Sequence, residues 1–124
     1  MRVHDALGPG LLESIYRDCL VIELAANDLE VSVEHRVPVF YREQKIRDDL
    51  KIDLLVNGRL IIEVKAVERI WPVHKAQVVT YLKLTGHPAG LLLNFNAPSL
   101  RAGLSRLDHP NLYVRKQKAR GGAR

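Results

Sequence analysis

Residues 52–66 read I-D-L-L-V-N-G-R-L-I-I-E-V-K-A, two apolar runs hinged at Asn57-Gly58, with Asp53, Glu63 and Lys65 set inside the runs. Asn-Gly between β-rich runs is a strong hairpin signal. Ionised groups are costly to bury unless they are paired or bind a metal. A strand pair that keeps two carboxylates and an ammonium among Ile, Leu and Val therefore needs a chemical reason. Register decides whether the three groups meet. Side chains alternate along a strand, so Ile61, Glu63 and Lys65 share a face. A strict two-residue Asn57-Gly58 turn would pair Val56 with Arg59 and set Asp53 opposite Ile62, on the wrong face. The spacing predicts instead a three-residue loop, Val56-Asn57-Gly58, with Gly58 left-handed and Leu55 facing Arg59. Asp53 then lies opposite Ile61 and diagonal to Glu63. In that arrangement Asp53 and Glu63 can hold one divalent cation with Lys65 beside it. Equally, Lys65 can neutralise the two acids in a structural salt bridge, and the spacing leaves both open.

Outward from this hairpin, Val31 to Tyr41 reads as a strand with Val31, Val33, Val37, Val39 and Tyr41 on one parity. Pro38 inside it calls for an edge strand or a bulge. Glu43-Gln44-Lys45 is the expected turn into a second strand, Ile46 to Val56, and Leu60 to Val67 is the third, completing a meander. Upstream, Gly8-Pro9-Gly10 opens a helix from Leu11 to about Asn27. Its broad apolar face predicts that it is covered on much of its surface. Met1 to Gly8 carries no clear pattern. Downstream, Pro72 to Thr85 reads as a helix stopped by Gly86, with His74, Gln77 and Tyr81 along one face. His74 is expected to be solvated or capping, and Trp71 to be a packing anchor at the helix start in preference to a base-stacking group. Gly90 to Phe95 is a continuous apolar run, typical of a buried strand, and its approach from a helix predicts a parallel crossover. Ala97 to Gly103 is a loop or short helical turn, Leu104 to Leu107 a last strand and Asn111 to Val114 an extended piece. The order predicts an α/β fold, a mixed sheet with a helix on each face or both on one.

The chain of 124 residues suits one domain, expected over residues 1–114. The net charge of +5 belongs to residues 115–124, whose five cations meet no acid; the remainder holds 14 basic and 14 acidic residues. Such a tail is expected to be disordered, serving as a solubilising end or as a weak attractor of phosphate backbones. Cys19 is the single cysteine, which removes intrachain disulfides and cysteine metal clusters. No apolar run approaches a membrane span and no signal-peptide pattern opens the chain, so a cytoplasmic location is expected.

Taken together, Glu13, Asp53, Glu63-Val64-Lys65 and Gln77-x-x-x-Tyr81 resemble the PD-(D/E)xK nuclease superfamily, with its α-β-β-β-α-β core. More closely, Gly10-Leu11-Leu12-Glu13-Ser14-Ile15-Tyr16 is similar to the G-x-x-E-x-x-Y signature of the small proteins named after it. Val3-His4, Leu7-Gly8-Pro9, Asp53-Leu54-Leu55-Val56, His74-x-Ala76-Gln77, Tyr81-Leu82-x-Leu84-Thr85-Gly86 and Gly90-Leu91-Leu92-x-Asn94-Phe95 extend the likeness from about Val3 to Leu107.

The resemblance implies a restriction-endonuclease-like fold and a metal-dependent nuclease acting on nucleic acid, DNA in the first instance. Glu13, Asp53 and Glu63, with the Val64 carbonyl, would bind Mg²⁺ or Mn²⁺. Lys65 would orient or help deprotonate the attacking water, while Gln77 and Tyr81, as in the RecB-type branch, would support the site and the nucleic-acid strand. The chemistry is coherent, since hard cations prefer oxygen donors. Gathered carboxylates without a cation repel, so one should hold its proton abnormally tightly. Glu13 also has a plainer explanation as a first-turn charge facing the helix dipole, and Tyr16 is expected in the core. Relatives tend to carry more sequence before Val3-His4, so a supporting N-terminal helix is expected to be missing here; Ile52 replaces the signature proline. A nuclease this small would need a second copy to cut both strands in concert, so a homodimer is considered. The competing function is a catalytically silent nucleic-acid-binding or interaction module on the same fold, and a weaker one is a dimeric structural protein.

Overall fold

Alternation along the central strands builds two apolar faces, and a helix covers each. The computed structural model describes residues 2–111; the basic tail and most of the expected extended piece at Asn111–Val114 lie outside the described residues. The elements are α1 (Arg2–Leu7), α2 (Glu13–Ala26), β1 (Val31–Tyr41), β2 (Gln44–Val56), β3 (Leu60–Lys65), α3 (Pro72–Thr85), β4 (Ala89–Asn94), α4 (Leu100–Gly103) and β5 (Leu104–Asp108). The strands form one sheet in sequence order, β3 and β4 parallel and the other neighbours antiparallel. The α3 crossover therefore makes the predicted parallel step. This is the mixed α/β sheet, flanked by helices, of a restriction-endonuclease-like fold.

Even positions of β3, Ile62 and Val64, face α2 and pack with Tyr16, Leu20, Leu54 and Leu93. Ile61, of odd parity, packs on the other side with Val37, Leu55, Tyr81 and Leu82 beneath α3. Each fully buried Leu or Ile contributes about 1.5–3 kcal/mol, so both faces have a substantial hold on their helix. Gly90 lets α3 approach β4 closely, because a Cβ there would stand 2.7 Å from Val78 Cγ1. Gly86 ends α3 with φ 77°, the left-handed stop expected of it.

Several boundaries differ from the sequence reading. Residues 2–7 form a helix too short to show periodicity. The turn into β2 is Arg42-Glu43, with Tyr41 facing Gln44, in place of Glu43-Gln44-Lys45. Both turn residues take left-handed φ, 49° and 65°, a conformation that ordinarily calls for Gly or Asn. β1 is an edge strand whose register shifts on either side of Val39, as Pro38 requires. The expectation that α2 is covered on much of its surface fails: Tyr16 and Leu20 are buried, but Leu12, Ile15 and Ile22 are exposed.

The decisive hairpin keeps its predicted parity but not its predicted register. Val56 faces Leu60, Leu55 faces Ile61 and Leu54 faces Ile62. Asn57 and Gly58 are both left-handed, φ 52° and 63°, and the Arg59 N–H donates to the Val56 carbonyl at 3.0 Å. The extra residue is thus Arg59, after the turn, not Val56 before it. The Asn57 side chain fixes the turn further by accepting from the Glu30 N–H at 2.9 Å.

Candidate functional site

The β2–β3 ladder ends at Leu54–Ile62, and the next register position is Asp53 opposite Glu63. Here the two carboxylates take over from backbone pairing. The Asp53 N–H donates to Glu63 Oε1 at 3.0 Å, and the Val64 N–H donates to Asp53 Oδ2 at 2.8 Å. Each acid thereby has one oxygen anchored on the opposite strand. The expected diagonal placement of Asp53 is replaced by a directly opposed one, because the extra turn residue slides the register by two positions.

Glu63 is 5 % exposed. Burial, and then the neighbouring Asp53 charge, push its carboxyl up from the usual 4.5 to about 8, with Lys65 pulling the other way. A low-dielectric pocket holding two carboxylates favours keeping one proton. Lys65 is half-buried and belongs to none of the ion pairs among the described residues. The tight salt bridge open at the sequence level is therefore not what the structure shows.

Glu13 begins α2, and its Oε2 accepts from the Ala66 N–H at 3.3 Å, just past Lys65. Tyr16, fully buried, explains the local spacing: its ring stacks on Phe95 with centroids 4.6 Å apart. Its hydroxyl donates to the Gly8 carbonyl and accepts from the Leu11 N–H. Those bonds draw the Gly8–Leu11 loop down onto α2, with Gly10 at φ 103°, and aim Glu13 at the end of β3. Glu13, Asp53 and Val64 line one recess together with Ser14 and Arg17. Among the described residues, no three His, Cys, Asp or Glu side chains gather closely enough to hold a metal ion among them. What the structure brings into contact is the Asp53–Glu63 pair, with Glu13 across the recess.

Gln77 Nε2 donates to the Tyr81 hydroxyl at 2.9 Å. Burial, and then the Glu63 charge, raise the Tyr81 phenol above its ordinary range, which places that ring within the field of the acidic pair. His74 Nδ1 accepts from the Trp71 N–H at 2.9 Å, so the histidine is a cap, as expected.

Two contributors were not singled out from sequence. Arg17 lines the recess while paired with Asp18 and Glu34. Asn94, 4 % exposed, ends β4. Its Oδ1 accepts from the Val67 N–H at 3.1 Å, and its Nδ2 donates to the Val67 carbonyl at 2.9 Å. An amide side chain so placed imitates a further strand residue and holds the chain just beyond Lys65. A single Asn closing an apolar strand was the available signal.

Residues 1–107 match the PD-(D/E)XK nuclease superfamily. The chain belongs to this superfamily. No curated protein and no solved structure matches the chain significantly. Among the described residues of this PD-(D/E)XK chain, no helix is long and apolar enough to cross a membrane.

Proposed function

We propose that the protein is a Mg²⁺- or Mn²⁺-dependent nuclease that hydrolyses phosphodiester bonds of DNA. The observation that carries this reading is the meeting of Asp53 and Glu63 across the end of the ladder, beside a Lys65 that joins no ion pair among the described residues. The donors suit a hard divalent cation in kind: Asp53, Val64 and Glu13 line one recess, and Glu63 lies beside it, bonded to the Asp53 N–H. The proton that Glu63 retains up to about pH 8 marks an excess of negative charge that a cation would offset. Such a cation supplies Lewis-acid stabilisation of charge growing on the phosphoryl oxygens.

The chain's own groups do the rest of the work in this reading. The Lys65 ammonium orients the attacking water and faces the phosphate. Tyr81, held by Gln77, lies within the field of the acids and supports the bound strand. Finer kinship with the G-x-x-E-x-x-Y proteins and the RecB-type branch belongs to the same proposal. It is supported by the Tyr16 latch that aims Glu13 and by the Gln77–Tyr81 bond. A concerted cut of both strands would require a second copy.

The test is cleavage of single-stranded, duplex and branched DNA with Mg²⁺ or Mn²⁺. We expect metal-dependent products, reduced by about 100-fold or more in Asp53→Ala and Lys65→Ala. Wild-type activity no higher than that of those variants on every substrate would overturn the reading. One observation favours a silent binding module instead: each acid already has a backbone N–H partner, and among the described residues no third acid joins them closely enough to hold a metal. DNA binding that is salt-sensitive, metal-independent and unchanged by Asp53→Ala would identify that alternative.

A further inference from the structure

The segment between Lys65 and α3 carries a surface that the scheme above leaves unused. Trp71, the chain's single tryptophan, is 53 % exposed and is not the packing anchor expected of it. The Arg69 guanidinium carbon stands 4.4 Å from the centroid of its ring, a cation–π contact that gives the indole a fixed neighbour. With Val67, Glu68, Arg69 and His74, Trp71 lines a recess of about 520 Å³. An adjoining recess of about 340 Å³ shares Glu68 and Arg69 and adds Lys75 and the amides of Asn94 and Asn96.

Both ends of this segment are pinned. Asn94 grips the N–H and the carbonyl of Val67, and His74 takes the Trp71 N–H. The platform is thereby set in place only a few residues beyond Lys65, and ordering it on binding costs little. Among the described residues, Glu68 is the one carboxylate lining the two recesses, against Arg69 and Lys75.

The geometry points to Trp71 and Arg69 forming a stacking platform for an unpaired base. The substrate presented to Asp53, Glu63 and Lys65 is then a DNA single strand or a frayed end. An indole can cover only a base face that has left the helical stack, whereas a base inside a duplex has both faces occupied. Stacking on an aromatic ring tolerates any sequence, since every base offers such a face. The recess suits this occupant in kind: an aromatic wall, a guanidinium and an ammonium for the backbone, and the Asn96 amide for a base edge. This inference deepens the nuclease reading and rests on it.

Trp71 is its own reporter, because no other tryptophan emits. The experiment titrates the full chain, in chelator, with a short oligothymidine and with a blunt duplex. We expect the single strand to quench Trp71 emission and the duplex to leave it nearly unchanged. By fluorescence anisotropy of labelled DNA, Trp71→Ala should weaken single-strand binding about tenfold, the scale of one lost base–aromatic stack. Its duplex binding should not move, and Trp71→Phe should recover most of the single-strand affinity. Absence of quenching at saturating strand, no detectable single-strand binding, or equal losses on both substrates would overturn the platform. Metal-dependent cleavage that Asp53→Ala abolishes and Trp71→Ala spares on single strands would reject the platform and leave the nuclease standing. Strand-specific quenching without cleavage of any DNA would reject the nuclease and leave the platform.

Discussion

Replacing Glu63 by Gln should make the metal-free protein more stable at alkaline pH. In the fold, burial and the Asp53 charge raise the Glu63 carboxyl to about 8, against 4.5 for an ordinary glutamate. Between those values the folded chain holds a proton that the unfolded chain has released. Stability then falls as pH rises. The contribution is complete below the unfolded value and is lost as pH rises through the folded one. At ~1.4 kcal/mol per tenfold change in proton affinity, the full span amounts to about 4–5 kcal/mol as an upper bound. Roughly 2 kcal/mol of that should disappear between pH 6 and pH 8. Gln keeps the Oε1 acceptor for the Asp53 N–H but has no charge to bury. Urea unfolding in chelator across this range should show wild type weakening relative to Glu63→Gln, with the two closest at the acidic end. Parallel stability profiles for the two proteins would refute the argument that an unrelieved carboxylate pair occupies the end of the ladder.

Three further perturbations test other parts of the same site and core. At pH 8, Mg²⁺ should raise the melting temperature of wild type but not of Asp53→Asn; at a hundred times the dissociation constant the linkage is about 2.7 kcal/mol. Tyr16→Phe retains the stack on Phe95 but loses the hydroxyl bonds to Gly8 and Leu11. It should cost about 1–2 kcal/mol by denaturant titration and reduce cleavage by releasing Glu13 from its aim. Gly103→Ala places a Cβ 2.2 Å from the Asn94 carbonyl oxygen. The clash should cost about 1–3 kcal/mol, measurable as a lowered unfolding midpoint.

That Asp53 and Glu63 come level across β2 and β3 was legible in the sequence, because an odd loop length brings them there; the break in alternation beside Asp53, where Ile52 and Leu54 pack on opposite sides of the sheet, was not. Nor was the position of the extra residue. Both Asn57 and Gly58 adopt left-handed backbone, so the turn closes on Val56 and Arg59 and the spare residue falls after it. Helix α3 and strand β1 were read to their observed ends, since Pro72, Gly86 and the valine alternation mark them chemically. By contrast, the Arg42-Glu43 turn has no residue that announces left-handed φ. Periodicity gave the apolar residues of α2 but says nothing of what lies over them, so the exposure of Leu12 and Ile22 was unforeseen. Spacing could not reveal that Asn94 imitates backbone, because its partner Val67 lies 27 positions away.

β2 outruns its neighbour on the inner side. From Leu50 back to Gln44 it is bonded only to β1, and residues 44–49 are exposed. At ~3.3 Å per residue this leaves a two-stranded spar of about 20 Å standing off the body, secured at its base where Val37 and Leu50 meet the α3 layer. A lone strand pair is marginal in water. Amide protons there should therefore exchange through a local peeling of the spar while β3 and β4 stay protected. The peeling front should halt within a few residues of Asp53, so a pliant strand pair is rooted beside the two constrained carboxylates.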